Sequence, residues 1–216
     1  MTGFHHLSVS KEFFDSIKKV YFPNSSFDLV RLNFVYDSIN RLKINKNKVC
    51  IAEFGVFNGH LSEYILSLLR SDDQLMLIDS FEGFLDKDFE KDQKIQTSKS
   101  RNYTFKDNNF DFKFFGGKRN VRIYKGFIPE VLDQIDTSYD FDLCFVDLDL
   151  SNPTRDVLNY LHTRINPQSV IFVHDYKNDF YPGIKIVCDD FLKNYSDLYH
   201  LSILPDNCGS AMLIRL

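Results

Sequence analysis

Apolar side chains recur along this chain with two different periods, and the change falls near residue 48. Before it, Phe13, Ile17 and Val20 form one stripe at helical spacing. Leu29, Leu32, Val35, Tyr36, Ile39 and Leu42 form a second, which opens with Ser25 and Asp28 at capping-box positions. Residues 1–47 therefore predict a helical cover. From residue 48 onward, short runs rich in Val, Ile and Phe alternate with amphipathic stretches. Strands are predicted over 48–55, 74–81, 121–126, 141–148 and 169–176, and helices over 60–70, 128–135, 153–165 and 183–195. That alternation predicts βαβ units and a parallel sheet, and the near-continuous hydrophobicity of the runs predicts strands buried on both faces. Two last runs, 198–206 and 210–216, are separated by a Pro/Asn/Gly turn too short for a helix, so they should pair antiparallel. The polar stretch 85–119 is a candidate lid or insert over a single domain spanning 1–216, with 48–216 its α/β core.

Composition narrows the class. A chain of 216 residues that is 44% hydrophobic and 26% charged can bury one ordinary core, and it has no apolar run long enough for a membrane span. A formal charge of −4 gives no general reason to bind nucleic acid or an anionic membrane. The start shows no leader pattern, and Cys50, Cys144, Cys188 and Cys208 fall singly, so a reducing cytoplasm is expected. Nothing in the pattern decides between a monomer and a homo-oligomer.

Candidate chemistry begins at IAEFGVFNGH, residues 51–60. If the first strand ends at Phe54 and a helix starts at His60, the turn from Gly55 to Gly59 lies at the carboxyl end of the sheet, where open α/β folds bind ligands. Glycine admits close backbone approach. Glu53 beside it would repel a pyrophosphate and attract a cationic group. Asp79 closes the second strand at the position from which a carboxylate can accept hydrogen bonds from ribose hydroxyls. Together these residues describe a nucleoside with a positively charged tail, which is the form of S-adenosylmethionine. A plain turn with helix-packing glycines is the bland alternative; a nicotinamide dinucleotide is disfavoured because GxGxxG is absent.

EFGVFNGHLS, IDSFEGF, VRIYKGFIPEVL, VDLDLSNPT and VHDY follow in an order and spacing that resembles the macrocin O-methyltransferase family, the metal-dependent sugar O-methyltransferases, over residues 48–191. The resemblance implies a Rossmann-like class I methyltransferase fold: a mostly parallel seven-stranded sheet, an antiparallel C-terminal hairpin and helices on both faces. It also implies cofactor contacts from Glu53, Gly55, Gly59, Asp79, Ser80, Phe81, Gly126, Phe127 and Asp147. The acceptor it implies is a small molecule, a sugar or sugar nucleotide.

Asp147, Asp149 and Asp175 stand at the ends of adjacent predicted strands. Crowded like charge is costly unless a cation sits among it, so a divalent metal is expected. By the resemblance, Asp147, His174 and Asp175 are metal ligands and Asp149 is the general base. Two departures stand out. The family has two aspartates where this chain has His174 and Asp175, and tyrosine and glutamate where it has Ser151 and Asn152. Imidazole ligation would move preference from magnesium toward manganese or another transition metal. His174 could instead be the catalytic base. Two other readings remain: a catalytically silent S-adenosylmethionine-binding domain, and a haloacid dehalogenase-type phosphatase with Asp147 as nucleophile in FVDLDLS.

Overall fold

The predicted apolar runs all become strands of one sheet in a computed structural model of the chain, which describes residues 10–20, 28–93 and 109–216. The strands are β1 (Cys50–Phe54), β2 (Gln74–Asp79), β3 (Val121–Lys125), β4 (Phe141–Val146), β5 (Ile165–Val173), β6 (Tyr199–Ile203) and β7 (Ala211–Arg215). Their order is β3-β2-β1-β4-β5-β7-β6. The first five strands pair parallel. β7 lies antiparallel between β5 and β6, as expected of the final hairpin.

Helices α1 (Lys11–Ile17), α2 (Leu29–Asn45), α3 (His60–Leu68), α4 (Asp86–Gln93), α5 (Phe112–Gly116), α6 (Ser151–His162) and α7 (Pro182–Asn194) complete the fold. Because successive strand residues point to opposite faces, β1 sends Ile51 to one core and Ala52 and Phe54 to the other. The first core packs Phe13, Leu32, Val35, Ile39, Tyr64 and Ile65 from α1, α2 and α3 against the sheet. The second packs Val157, Leu158 and Leu161 of α6 and Ile184, Val187 and Phe191 of α7. Tyr64 joins α3 to α1 through a 2.8 Å hydroxyl contact with Ser16. The sheet is thus covered on both faces, in the architecture of a Rossmann-like methyltransferase.

Four expectations need correction or completion. Residues 128–135 do not form an α-helix; Glu130–Gln134 is a 3-10 turn directly after Pro129. The tighter winding suffices to bury Val131 and Leu132. α6 begins at Ser151, before Pro153, because an acceptor from α4 meets its first amide. Asp28 caps α2 as expected, accepting from Val30 and Arg31, while Ser25 lies outside the described residues. Of the candidate lid 85–119, the described parts are packed: α4 lies on α6 and Phe115 of α5 enters the core. Residues 94–108 lie outside the described residues. Among the described residues, no helix is long and apolar enough to cross a membrane.

The amino end of β2 is fixed by Asp73, whose side chain is fully buried. It accepts from the amides of Val49 (2.9 Å) and Arg70 (2.8 Å) and pairs with the Arg70 guanidinium at 2.9 Å. Burial pushes its pKa up, but the Arg70 and backbone donors outweigh this and hold it below the ordinary carboxylate range. The stability it contributes is present at neutral pH and lost as pH falls through the lowered value. Asp73→Ala leaves those donors unmet and should cost about 2–3 kcal/mol in urea denaturation. Because Asp73 is at the opposite end of β2 from Asp79, ligand affinity should not change.

Candidate active site

Hydrogen bonding between neighbouring strands continues past their carboxyl ends. Gly55 donates to Ile78 (3.0 Å), Gly126 to Asp79 (3.0 Å), Asp147 to Phe54 (2.8 Å) and His174 to Val146 (2.9 Å). The residues following β1, β3, β4 and β5 are therefore level with the end of β2, and they open onto one cleft of about 780 Å³. Glu53, Gly55, Asp79, Ser80, Gly126, Phe127, Asp147, Asp149, His174 and Asp175 all line it.

Gly55 has φ +87°, and a Cβ there would lie 1.9 Å from the Asp147 carbonyl oxygen, so the close approach of the backbones that follow β1 and β4 demands glycine. Asp79 holds the turn from the other side. Its Oδ2 accepts from the amides of Val56 (2.6 Å) and Phe57 (2.9 Å), and its Oδ1 from Phe81 (2.7 Å). An ionised carboxylate offers about four acceptor positions, so Asp79 shapes two loops and retains capacity for a hydroxyl. Ser80 donates to the Gly83 carbonyl at 2.7 Å, which closes the DSFEG turn.

Two predicted cofactor contacts fall elsewhere. Gly59 is the left-handed N-cap residue of α3 and abuts Phe110 and Phe115 outside the cleft. Phe81, at φ +54°, turns into the cluster of Phe110 and Phe112, with ring centroids 4.5 and 4.8 Å away. Both residues support the loop rather than line the cavity.

Glu53 is 2% exposed and accepts from the Ser62 hydroxyl at 2.5 Å. Burial, aided by the charges of Asp147 and Asp79, raises its pKa to about 8 against the relief offered by Ser62. Across the cleft, oxygens of Asp147, Asp149 and Asp175 lie within 4.8 Å of one another. Burial and the charges of Asp147 and Asp175 push Asp149 well above the carboxylate range. Asp175 moves the other way: burial would raise it, but hydrogen bonding and charge from His174 keep it ionised.

His174 Nδ1 lies 3.0 Å from both Asp147 Oδ1 and Asp175 Oδ2, is wholly buried, and meets neither at a hydrogen-bonding angle. Ligands on adjacent octahedral positions of a small divalent ion are about 3 Å apart, so these atoms fit the ligand set of such an ion. Burial lowers the His174 pKa, while the Asp147 charge and contacts with Asp147, Asp175 and Cys208 raise it and prevail. On the far side Arg31 faces Nε2 and also reaches Asp206 at 3.4 Å. A guanidinium only donates, so this contact requires a neutral ring with Nε2 as acceptor and opposes the charged form that the acids favour; while it stands, Nε2 is not free to act as a base. Ligation through Nδ1 would place the ring proton on Nε2 and require Arg31 to turn wholly to Asp206.

Several functional neighbours had no signal in the sequence. Asp92 of α4 accepts from the Ser151 amide (2.6 Å) and hydroxyl, and Asp88 accepts from Asn152 at 3.0 Å. The two unusual residues at the start of α6 thus anchor α4 beside the cleft. Arg31, Asn178 and Cys208 also line the cleft, brought there by α2, the loop before α7 and the β6–β7 turn.

The strand order β3-β2-β1-β4-β5-β7-β6 with β7 antiparallel, and a cleft at its carboxyl edge, are the architecture of a class I methyltransferase. The chain belongs to the methyltransferase-domain family, which matches residues 52–176, and is an S-adenosylmethionine-dependent methyltransferase. That membership sets aside the phosphatase reading. No curated protein matches the sequence. Among solved structures, the O-methyltransferase NovP is similar at 20% identity and TM-score 0.67, over 87% of this chain and 80% of that one. The apo structure of CalS11, described as a TDP-rhamnose 3'-O-methyltransferase of calicheamicin biosynthesis, gives 17% identity and 0.58 over 97% and 88%. TomG from Streptomyces achromogenes, in complex with S-adenosylmethionine, gives 14% and 0.58 over 95% and 87%. At these identities the likeness is one of fold.

Glu53 also predicts a pH effect. The folded chain holds its proton up to about pH 8, whereas the unfolded chain releases it near 4.5. Between those values the unfolded state binds fewer protons, so stability falls as pH rises. Urea denaturation of Glu53→Gln should lack this component, a slope difference of up to about 1.4 kcal/mol per pH unit. Equal slopes for the two proteins would contradict the assignment.

Proposed function

We propose that the chain is a divalent-metal-assisted O-methyltransferase acting on a small polar acceptor, a sugar or sugar-nucleotide hydroxyl. The observation that carries this reading is the meeting, in one cleft, of the Glu53–Asp79 loop with the Asp147, Asp149 and Asp175 oxygens. When bound, S-adenosylmethionine supplies the methyl group on its sulfonium and a divalent ion supplies Lewis acidity toward the acceptor hydroxyl. The chain's own groups do the rest. Gly55 lets the donor approach the backbone, Asp79 retains an acceptor position for ribose, and Glu53 would give up its proton when the cationic end binds beside it. Asp147 and Asp175 would hold the ion, with His174 beside them.

In this reading Asp149 accepts the hydroxyl proton, which it can do only when ionised. Burial and the neighbouring acids raise its pKa, and positive charge held by Asp147 and Asp175 would favour loss of its proton. The cleft is also lined by Asp88, Asn178 and His60 and by the rings of Phe180 and Tyr181. Polar groups next to aromatic rings suit a hydroxyl-rich ring with one apolar face. NovP and CalS11 are described as O-methyltransferases, and the second acts on a sugar nucleotide by its description, which supports this acceptor class.

Calorimetry with S-adenosylhomocysteine separates the roles. Asp79→Ala should weaken binding by about 10- to 100-fold, the loss of charge-assisted hydrogen bonds. Asp149→Ala should leave that affinity intact and abolish methyl transfer from labelled donor to a sugar-nucleotide panel. Unchanged binding in the first variant and unchanged transfer in the second would overturn the reading.

A further inference from the structure

Two triads of ligand atoms overlap at Asp175. The first is the all-oxygen set with Asp147 and Asp149; in the second, one atom each of His174, Asp175 and Cys208 lies within 4.8 Å of the others. Cys208 sits in the turn between β6 and β7, and its thiol is within hydrogen-bonding reach of both His174 and Asp175.

The surroundings hold this second triad in place. Asn178 donates from the same amide nitrogen to Asp175 Oδ1 (2.7 Å) and to Cys208 Sγ (3.9 Å), and its oxygen accepts from the Phe180 amide (3.0 Å). Asp175 Oδ2 is thereby left facing His174 Nδ1, the wholly buried nitrogen without a hydrogen bond. The turn that carries Cys208 is fixed three times. Asp206 accepts from the Ser210 amide (2.8 Å) and hydroxyl (2.6 Å), Asp28 accepts from the Asn207 amide (2.8 Å), and the Lys177 amide donates to the Cys208 carbonyl (3.2 Å). Outer donors that orient a carboxylate and a sulfur toward a buried imidazole are the usual frame of a metal centre.

We infer that Cys208 is a metal ligand, and that His174, Asp175 and Cys208 make the site selective for a borderline or soft transition-metal ion over magnesium. The inference rests on the metal-assisted reading above and adds the ligand that sets its selectivity. Thiolate and imidazole favour zinc, cobalt or iron, whereas magnesium prefers an all-oxygen shell. The thiol proton leaves to solvent as the ion binds. Where the resembling family has two aspartates, the change to His174 then has a partner in Cys208, and the pair converts an oxygen site into a mixed one.

Cobalt(II) titration of the full chain tests this by absorption. Wild type should develop an intense near-ultraviolet thiolate-to-cobalt band that saturates at a single equivalent. Cys208→Ser, a change in a partly exposed turn, should keep its metal-free melting temperature, lose the band, and bind cobalt and zinc about tenfold or more weakly, with magnesium affinity unchanged. The other cysteines do not confuse the signal: all are buried, with Cys50 and Cys188 pushed up to about 12 and Cys144 raised well above the ordinary thiol value by burial. Cobalt bound without the band, or the same band in Cys208→Ser, would overturn the assignment of Cys208 while leaving the carboxylate site standing. A folded wild-type chain that binds no cobalt would overturn both.

Discussion

Besides Asp88, which is tied to Asn152, five carboxyl groups, Glu53, Asp79, Asp147, Asp149 and Asp175, line one cleft at the carboxyl edge of the sheet, and the way each of the five is compensated organises the rest of the molecule. Asp79 is met by three backbone amides, a fixed compensation that shapes the glycine turn and the DSFEG turn together. Asp175 accepts from Asn178, and both Asp147 and Asp175 lie 3.0 Å from His174 Nδ1. Glu53 and Asp149 have no such permanent countercharge, and burial raises the pKa of each. A proton can be exchanged for a ligand's positive charge, whereas a backbone amide cannot. The two acids whose pKa is raised therefore mark where cationic ligands belong: Glu53 by the donor loop, Asp149 by the cluster that suits an ion.

The N-terminal helices contribute more than a cover. Asp28 caps α2 and simultaneously accepts from Asn207, while Arg31 reaches from the same helix to Asp206 and His174. A helix outside the family match thus braces the β6–β7 turn against the cleft. On the opposite side α4 is tied to the first turn of α6 by Asp88 and Asp92. Ser151 and Asn152, which depart from the resembling family, are the residues that make this tie.

Local pattern made the strands legible, because each is a short apolar run with a clear turn on either side. The acids at strand ends were legible for the same reason: a parallel sheet places the residues after its strands on one edge. Local pattern failed where conformation, not composition, decides direction. Phe81 lies inside the motif that most resembles a cofactor loop, but its positive φ sends the ring to Phe110. Gly59 serves the start of α3 for a similar reason. Cys208 and Arg31 were invisible, since 177 positions separate them and only the insertion of β7 beside β5 brings the last turn to the cleft. The 3-10 turn at 130–134 was missed because its buried residues fit either winding.

The central claim is that exchangeable positive charge belongs at two neighbouring places in this cleft. A crystal structure of the protein grown with S-adenosylhomocysteine and a divalent ion tests it most directly. The account predicts the nucleoside along Gly55 and Asp79 with its amino acid end toward Glu53, and an ion in contact with Asp147 and Asp175. A nucleoside bound away from Asp79, or an ion bound at carboxylates outside this cluster while the cleft binds none, would contradict it.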